Sequence, residues 1–175
     1  RTPVFDTRFG RVSLQICYDS WFPELTRTYA VKGSLLNLVI SAGPSGSEDA
    51  WKTMLRARSM ENAFPSVYCN TVGRQKDVSF FGGSKIVSAA GKVTTEATFD
   101  EEDFVTGAVD LQEALRIRRH WLLFRERAPE LYAPLTATYG QIDMVQPPGA
   151  SPYGVATTIT DVRSGASWSA SARVD

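Results

Sequence analysis

Apolar and polar residues alternate along residues 12–17, which is the pattern of a β-strand. Because strand side chains point to opposite faces in turn, we expect the thiol of Cys17 on the polar face, together with Ser13 and Gln15. The thiol would then stand at the carboxyl end of a strand and just before a helix, where α/β proteins carry reactive groups. A buried structural cysteine is the other interpretation, because free cysteines are among the most buried residues.

Strand and helix patterns alternate along the rest of the chain. One helix is predicted between Pro23 and Gly33, a second begins after the capping residue Ser47, and a third begins at about Gln112. The further predicted strands are 35–40, which reads as covered on both faces, and 66–72, 79–88, 93–99 and 105–111. This order of elements predicts an α/β layered domain.

Composition limits the classes of function. The 175 residues are enough for one domain with a core, and 19 basic against 19 acidic residues argue against a dedicated nucleic-acid binder. No apolar run approaches the roughly 18 residues of a membrane span. Two cysteines do not make a disulfide framework, so we expect a cytoplasmic protein, with Cys69 in its core beside Val67. We predict no cofactor and no metal. Gly82-Gly83-Ser84-Lys85 lacks the residue order of a phosphate loop, and a strand bulge or a close backbone approach explains its glycines better.

Several motifs, in order, resemble the nitrilase (carbon–nitrogen hydrolase) superfamily over about residues 1–132. The nucleophile segment of that family is matched by Phe9-Gly10-Arg11, Ile16-Cys17-Tyr18-Asp19 and Phe22-Pro23-Glu24. The later matches are Arg56-Ala57-Arg58-Ser59-Met60-Glu61-Asn62-Ala63, Asn70 with Gly73, Gly82-Gly83-Ser84 with Gly91, and Arg125 to Tyr132. The resemblance implies part of a four-layer α-β-β-α sandwich, which would leave apolar sheet surface for an upstream segment or a partner chain to cover.

The resemblance also implies a chemistry. Members of this superfamily attack a carbon–nitrogen bond through a cysteine thioester, assisted by a glutamate and a lysine that precede the cysteine in the chain. None of residues 1–16 is Glu or Lys. We therefore expect the carboxyl-terminal portion of a longer enzyme, inactive by itself and dependent on both groups from elsewhere. The Tyr18-Asp19 pair resembles the amidase branches, which implies a small amide-type substrate.

The remaining site residues follow from the same resemblance. The backbone N–H of Tyr18, which follows the nucleophile, is expected to donate to the developing oxyanion. The loop after the second strand is expected to contact the substrate through Ser41, Ala42 and Gly43. Trp21 either lines this pocket or packs beside the helix.

Four other titratable residues are candidate bases within the chain. Asp19 and Glu24 are expected to cap or pair at a helix start, and Glu61 to anchor structure through an arginine. His120, the only histidine, lies near a helix carboxyl end, where positive charge is favourable. Two alternatives to the amidase hypothesis stay open: an inactive remnant used for binding or assembly, and a Cys–His hydrolase that uses His120.

The end of the chain changes in character. We predict a hydrolase domain over residues 1–135 and an extension over 136–175 that is flexible or wraps a neighbouring subunit of a homo-oligomer. A short pairing strand in this extension would use Tyr153, Val155, Ile159 and Val162.

Overall fold

The computed structural model describes residues 2–136 in full and the backbone of Ala156–Thr160 and Ser167–Ser171. The chain divides into two compact units, Arg1–Ala128 and Pro129–Asp175. The helical elements of the first unit are a 3-10 helix (Cys17–Trp21, called the cysteine turn below), α1 (Pro23–Val31), α2 (Glu48–Asn62) and α3 (Leu111–Trp121). Its strands are β1 (Val4–Thr7), β2 (Gly10–Ile16), β3 (Leu36–Ser41), β4 (Ser66–Asn70), β5 (Val72–Gln75), β6 (Val78–Phe81), β7 (Lys85–Val87) and β8 (Val93–Glu96).

Six strands form one sheet in the order β1-β2-β3-β4-β7-β8, while β5 and β6 pair as a separate hairpin. The strands β2, β3 and β4 are parallel, and the other three run antiparallel to their neighbours. Parallel strands place their carboxyl ends at one edge of the sheet. The cysteine turn, Ser41 and Asn70 therefore meet at that edge, and the mixed α/β fold agrees with the predicted class.

The polar face of β2 is the buried one. Ser13 and Gln15 are fully buried beneath the helices, as is Asn37 of the neighbouring strand β3. The amide of Asn37 donates to Gln15 Oε1 at 2.7 Å and accepts from Ser13 Oγ at 3.0 Å. Gln15 Nε2 donates to Thr26 Oγ1 of α1 at 3.0 Å. This network satisfies the polar groups that burial would otherwise penalise, and it ties α1 to the sheet.

The apolar face of the same sheet is open in the described residues. Leu14 and Ile16 are 39% and 59% exposed, and Ile40 of β3 is 47% exposed. Within the described residues, the strand at 35–40 is therefore covered on one face and not on both as predicted, because α1 and α2 lie on the same face. The placement of Cys69 in the core was wrong for the same reason, since it points to the open face and is exposed.

The predicted helices are confirmed: α1 ends at Val31 and is followed by Gly33 in a left-handed conformation, and α2 follows Ser47. Trp51, Met54 and Leu55 of α2 are buried. They pack with Val39, Tyr68, Phe81 and Val87 in the first core cluster, which Cys17 also contacts. A second cluster of Ala30, Phe64, Ala89 and Ala114 joins α3 to the rest of the unit.

The later strands are more broken than the pattern predicted. Residues 66–72 and 79–88 divide into β4, β5, β6 and β7. Gly82 and Gly83 adopt left-handed φ values of 69° and 59° between β6 and β7. A Cβ added at Gly83 would lie 2.7 Å from the Phe99 ring, so the expected close backbone approach is confirmed.

The strand predicted over residues 105–111 is wrong. Residues 104–110 belong to none of the described strands, and α3 begins at Leu111. A Cβ added at Gly107 would lie 2.6 Å from Thr95 Oγ1 and 2.9 Å from Ile86 Cδ1, so this segment packs closely on the sheet and does not pair as a strand. The sequence pattern also missed β1, which pairs antiparallel with β2.

The second unit contains a 3-10 helix at Pro129–Thr136 and the antiparallel pair β9 (Ala156–Thr160) and β10 (Ser167–Ser171). Ile159 of the predicted pairing strand lies in β9, whereas Tyr153, Val155 and Val162 fall outside the described residues. The boundary at residue 135 stays a prediction. Among the described helices, none has the length and apolar character needed to cross a membrane.

Asn37→Ala is expected to lower the free energy of unfolding by about 2 kcal/mol, because Ser13 and Gln15 each lose a buried hydrogen bond. Urea denaturation measures the change. Gln75→Ala, at an exposed position of β5, is the control and should change stability little. An equal effect of the two substitutions would contradict the importance of the buried network.

Candidate active site

Cys17 has a backbone conformation that is unusual for a residue with a side chain. Its φ is 47°, in the left-handed region, where a non-glycine residue costs on the order of 1–3 kcal/mol. The carboxylate of Asp19 accepts a hydrogen bond from the Ile16 N–H at 3.0 Å, and Gln15 Nε2 donates to the Asp19 carbonyl at 3.3 Å. These bonds hold the turn, and they confirm the capping role expected of Asp19. Glu24 lies in the first turn of α1 and is exposed.

An arginine of α2 supports the cysteine turn from the helix side. Arg58 Nε donates to the Ser20 carbonyl at 3.0 Å, while Arg58 Nη1 pairs with Glu61 Oε1 at 2.8 Å. Both side chains are mostly shielded from solvent, with 14% and 34% exposed. Glu61 therefore anchors structure through an arginine, as expected.

The sulfur of Cys17 is half-buried and has one polar contact among the described residues. Ser41, at the carboxyl end of β3, donates from Oγ to Cys17 Sγ at 3.4 Å. The end of β3 is fixed by Thr71, whose N–H donates to the Ser41 carbonyl at 3.0 Å. The strand register therefore determines the position of the serine relative to the sulfur.

Gly43 packs closely against three aromatic residues. A Cβ placed on it would lie about 3 Å from Phe81, from Trp51 Nε1 and from the Tyr68 hydroxyl, at 2.9, 3.0 and 3.0 Å. Its N–H donates to Asn70 Oδ1 at 2.7 Å. Only a glycine fits here without moving its neighbours, and the loop after β3 is thereby held against the core. Ala42, beside it, is exposed.

The aromatic residues near the turn form a continuous row. The Trp21 ring packs edge-on against Trp51 at 6.0 Å and lies 6.3 Å from the Tyr18 ring. Trp51 in turn contacts Tyr68 at 5.1 Å. Trp21 is 40% exposed, so it combines a packing contact with an accessible edge. The Tyr18 side chain is exposed, and its N–H lies in the first turn of a 3-10 helix, where N–H groups have no partner within the helix.

Asn70 and Tyr68 were not identified as site residues from the sequence. Asn70 Nδ2 donates to the Gly82 carbonyl at 2.9 Å, so this amide joins the Gly43 loop to the turn after β6. Tyr68 is buried, and burial raises the pKa of its hydroxyl, which therefore stays protonated at neutral pH. The position of Asn70 at the end of a parallel strand was a signal that could have identified it.

His120 does not join this arrangement. It is exposed in the last turn of α3, as the helix-end interpretation expected. The buried residue of that helix, Ala114, belongs to the second core cluster, whereas Cys17 contacts the first. The part of the chain that the structure describes also holds no group of three or more His, Cys, Asp or Glu side chains suited to a metal ion.

Comparison with known proteins extends these observations. The family profile described as carbon-nitrogen hydrolase matches residues 1–119. A probable nitrilase of Schizosaccharomyces pombe is 37% identical over 134 residues, which are 76% of this chain and 49% of that protein. The chain thus spans about half the length of the curated relatives it matches.

Solved structures agree with the sequence comparison. A carbon-nitrogen hydrolase from Helicobacter pylori G27 matches 78% of this chain and 52% of its own chain, with a TM-score of 0.72 and 27% identity. A mutant amidase from Nesterenkonia sp. AN1 matches 75% of this chain and 46% of its own, with a TM-score of 0.60 and 28% identity. In that structure the acetamide moiety of fluoroacetamide is covalently attached to the active-site cysteine.

Motifs, fold and relatives therefore lead to one conclusion, which the match over residues 1–119 makes firm. The α/β unit is consistent with part of the α-β-β-α sandwich of its structural neighbours. This chain belongs to the carbon-nitrogen hydrolase family, in an amidase-like branch of the nitrilase superfamily.

Proposed function

We propose that Cys17 is the nucleophile of an amidase that hydrolyses a small amide through a thioester acyl-enzyme. The observation that carries this proposal is the cysteine turn itself. Cys17, whose backbone is left-handed, lies at the carboxyl edge of three parallel strands, and Ser41 Oγ is 3.4 Å from its sulfur. A structural cysteine needs neither the unusual backbone nor a place at this edge.

The reaction proceeds in two stages. The thiolate of Cys17 adds to the amide carbonyl, and the Tyr18 N–H donates to the resulting oxyanion. Collapse of the intermediate breaks the carbon–nitrogen bond, and the amine leaves with a proton from a general acid. Water then adds to the thioester, and release of the carboxylate regenerates the thiol.

Ser41, Ala42 and Gly43 are proposed to border the acyl group, and the exposed edge of Trp21 to lie at the entrance. The support is their position, since the loop after β3 and the cysteine turn lie side by side at one edge of the sheet. The acetamide adduct of the Nesterenkonia amidase is an example of a small acyl group on such a cysteine. A small amide-type substrate is therefore proposed here.

The general acid and base are proposed to be a glutamate and a lysine from outside these 175 residues. We also propose that the open face of the sheet packs against the segment or companion chain that supplies them. Support comes from the exposed Leu14, Ile16 and Ile40, whose burial would contribute about 25 cal/mol per Å² of apolar surface. On this proposal the isolated chain is inactive, and the complete enzyme is cytoplasmic and homo-oligomeric.

Cys17→Ser in the complete enzyme is expected to lower amide hydrolysis by at least about 1,000-fold, because a serine hydroxyl is ionised far less readily than a thiol. Steady-state ammonia release from small amides measures the loss. Cys69→Ser is the matched thiol control and should retain most of the activity. Comparable losses in both variants, or in neither, would refute the assignment.

Arg58→Met is expected to lower kcat while the protein stays folded, because the cysteine turn loses the hydrogen bond to the Ser20 carbonyl. A tenfold loss corresponds to about 1.4 kcal/mol of transition-state stabilisation. Arg56→Met removes an arginine of the same helix that bonds to the Gly91 carbonyl and provides the control. If the two variants have the same kcat, Arg58 has no positioning role.

Ile40→Asp tests the proposed cover on the open face. A buried charge at this position would be unpaired, so the companion segment should bind more weakly or dissociate. Analytical ultracentrifugation and activity assays measure this effect. Val78→Asp, at an exposed position of the β5–β6 hairpin, is the control and should leave assembly intact. Unchanged assembly of Ile40→Asp would show that the face is not covered.

A further inference from the structure

One hydroxyl group contacts the sulfur of Cys17, and a second, buried hydroxyl lies beside the first. The first is Ser41, which donates from Oγ to Cys17 Sγ at 3.4 Å. A hydrogen bond to sulfur favours the thiolate over the thiol, because the charged form is the stronger acceptor. The serine therefore contacts the atom that reacts, and its position is fixed by the end of β3.

The second hydroxyl belongs to Tyr68, two residues before the end of β4. The side chain is 1% exposed, and its hydroxyl has no hydrogen-bond partner among the described residues. Tyr68 lies opposite Val39, and Ser41 is two residues further along the same face of β3. The Ser41 side chain opposes part of the rise in the pKa of Tyr68, although the two hydroxyls do not form a hydrogen bond. A buried hydroxyl without a partner is unfavourable. This O–H can therefore donate to a neighbouring group that becomes a better acceptor during the reaction.

The packing of Tyr68 explains why this donor stays in place. Its ring contacts Trp51 at 5.1 Å, and its hydroxyl would be 3.0 Å from a Cβ at Gly43. The position on β4 is directly opposite Val39 of β3 and Lys85 of β7. The hydroxyl is therefore held at the back of the site, on the side away from solvent.

The charged side chains around the cysteine turn are already engaged. Asp19 accepts from the Ile16 N–H, and Arg58 bonds to Glu61 and to the Ser20 carbonyl. Lys85, on the strand beside Tyr68, is buried and pairs with Glu96 at 2.6 Å. In the described part of the chain, the hydrogen bond to the sulfur comes instead from the neutral Ser41 hydroxyl.

We propose that Ser41 is a further catalytic residue, which stabilises the Cys17 thiolate, and that Tyr68 is a positioning residue that donates to Ser41 Oγ when the thiolate forms. With the Tyr68 O–H donating to Ser41 Oγ, the Ser41 O–H is oriented to donate to the sulfur. No covalent bond to either hydroxyl forms or breaks. The importance for amide hydrolysis rests on the proposed function, whereas the effect on the thiol does not.

Alkylation of Cys17 by iodoacetamide tests this inference without relying on enzyme activity. The purified protein that contains this chain carries Cys69→Ser, and mass spectrometry follows the peptide with Cys17. Ser41→Ala should slow alkylation about tenfold at pH 7, where few thiols are ionised, and leave the rate at pH 10 nearly unchanged. Tyr68→Phe should slow it about threefold at pH 7 only, since its effect passes through the serine.

The double variant distinguishes a chain of hydroxyls from two independent effects. Ser41→Ala with Tyr68→Phe should react at the rate of Ser41→Ala alone, because the tyrosine has no serine to act on. If the rate reductions of the two single variants multiply in the double variant, Tyr68 does not act through Ser41. An unchanged rate in Ser41→Ala would overturn the role of the serine. Tyr29→Phe, at a buried tyrosine of α1, is the control and should leave both rates as they are.

A purely structural role for Tyr68 has a different signature. Tyr68→Phe would then raise thermal stability by removing an unpartnered buried hydroxyl and leave Cys17 alkylation at pH 7 unchanged, which would overturn the inference. The proposed function is tested separately by amide turnover. If the enzyme hydrolyses no amide but Cys17 alkylation changes as expected, the amidase proposal is refuted and the roles of Ser41 and Tyr68 are not. If amides are hydrolysed but the alkylation rates do not change as expected, only the roles of Ser41 and Tyr68 are refuted.

Discussion

The candidate site depends on one constraint, the left-handed backbone of Cys17. That conformation is unfavourable for a residue with a Cβ, so the surroundings must supply the free energy that keeps it. Bonds from three elements do so: the Asp19 carboxylate within the turn, Gln15 of β2 and Arg58 of α2. The sulfur is consequently placed by hydrogen bonds on the helix side, and by the Ser41 hydroxyl on the sheet side.

The two faces of the sheet differ in character. Polar residues of β2 and β3 point to the helices, where Asn37 and Gln15 satisfy one another, and this face holds the cysteine turn. Apolar residues such as Ile16 and Ile40 point the other way and are exposed in this chain. Exposed apolar surface next to a reactive edge is typical of an interface.

The alternating pattern around Cys17 and the ordered motifs predicted the family and the place of the thiol. Alternation gave the faces correctly but not which of them is buried, because that depends on hydrogen bonds across the chain, such as the one from Asn37 to Gln15. Alternation also predicted a strand near Gly107, but the segment around this glycine packs on the sheet and is not one of its strands. Tyr68 and its unpartnered hydroxyl were beyond the sequence, since a buried tyrosine usually signals core alone.

The most direct test of the account is rapid-quench mass spectrometry of the complete enzyme with a small amide. If Cys17 is the nucleophile, the peptide containing it transiently gains the mass of the acyl group, and this adduct disappears at the rate of product formation. Turnover with an unmodified Cys17 at every time point, or an acyl group on another residue, would contradict this role.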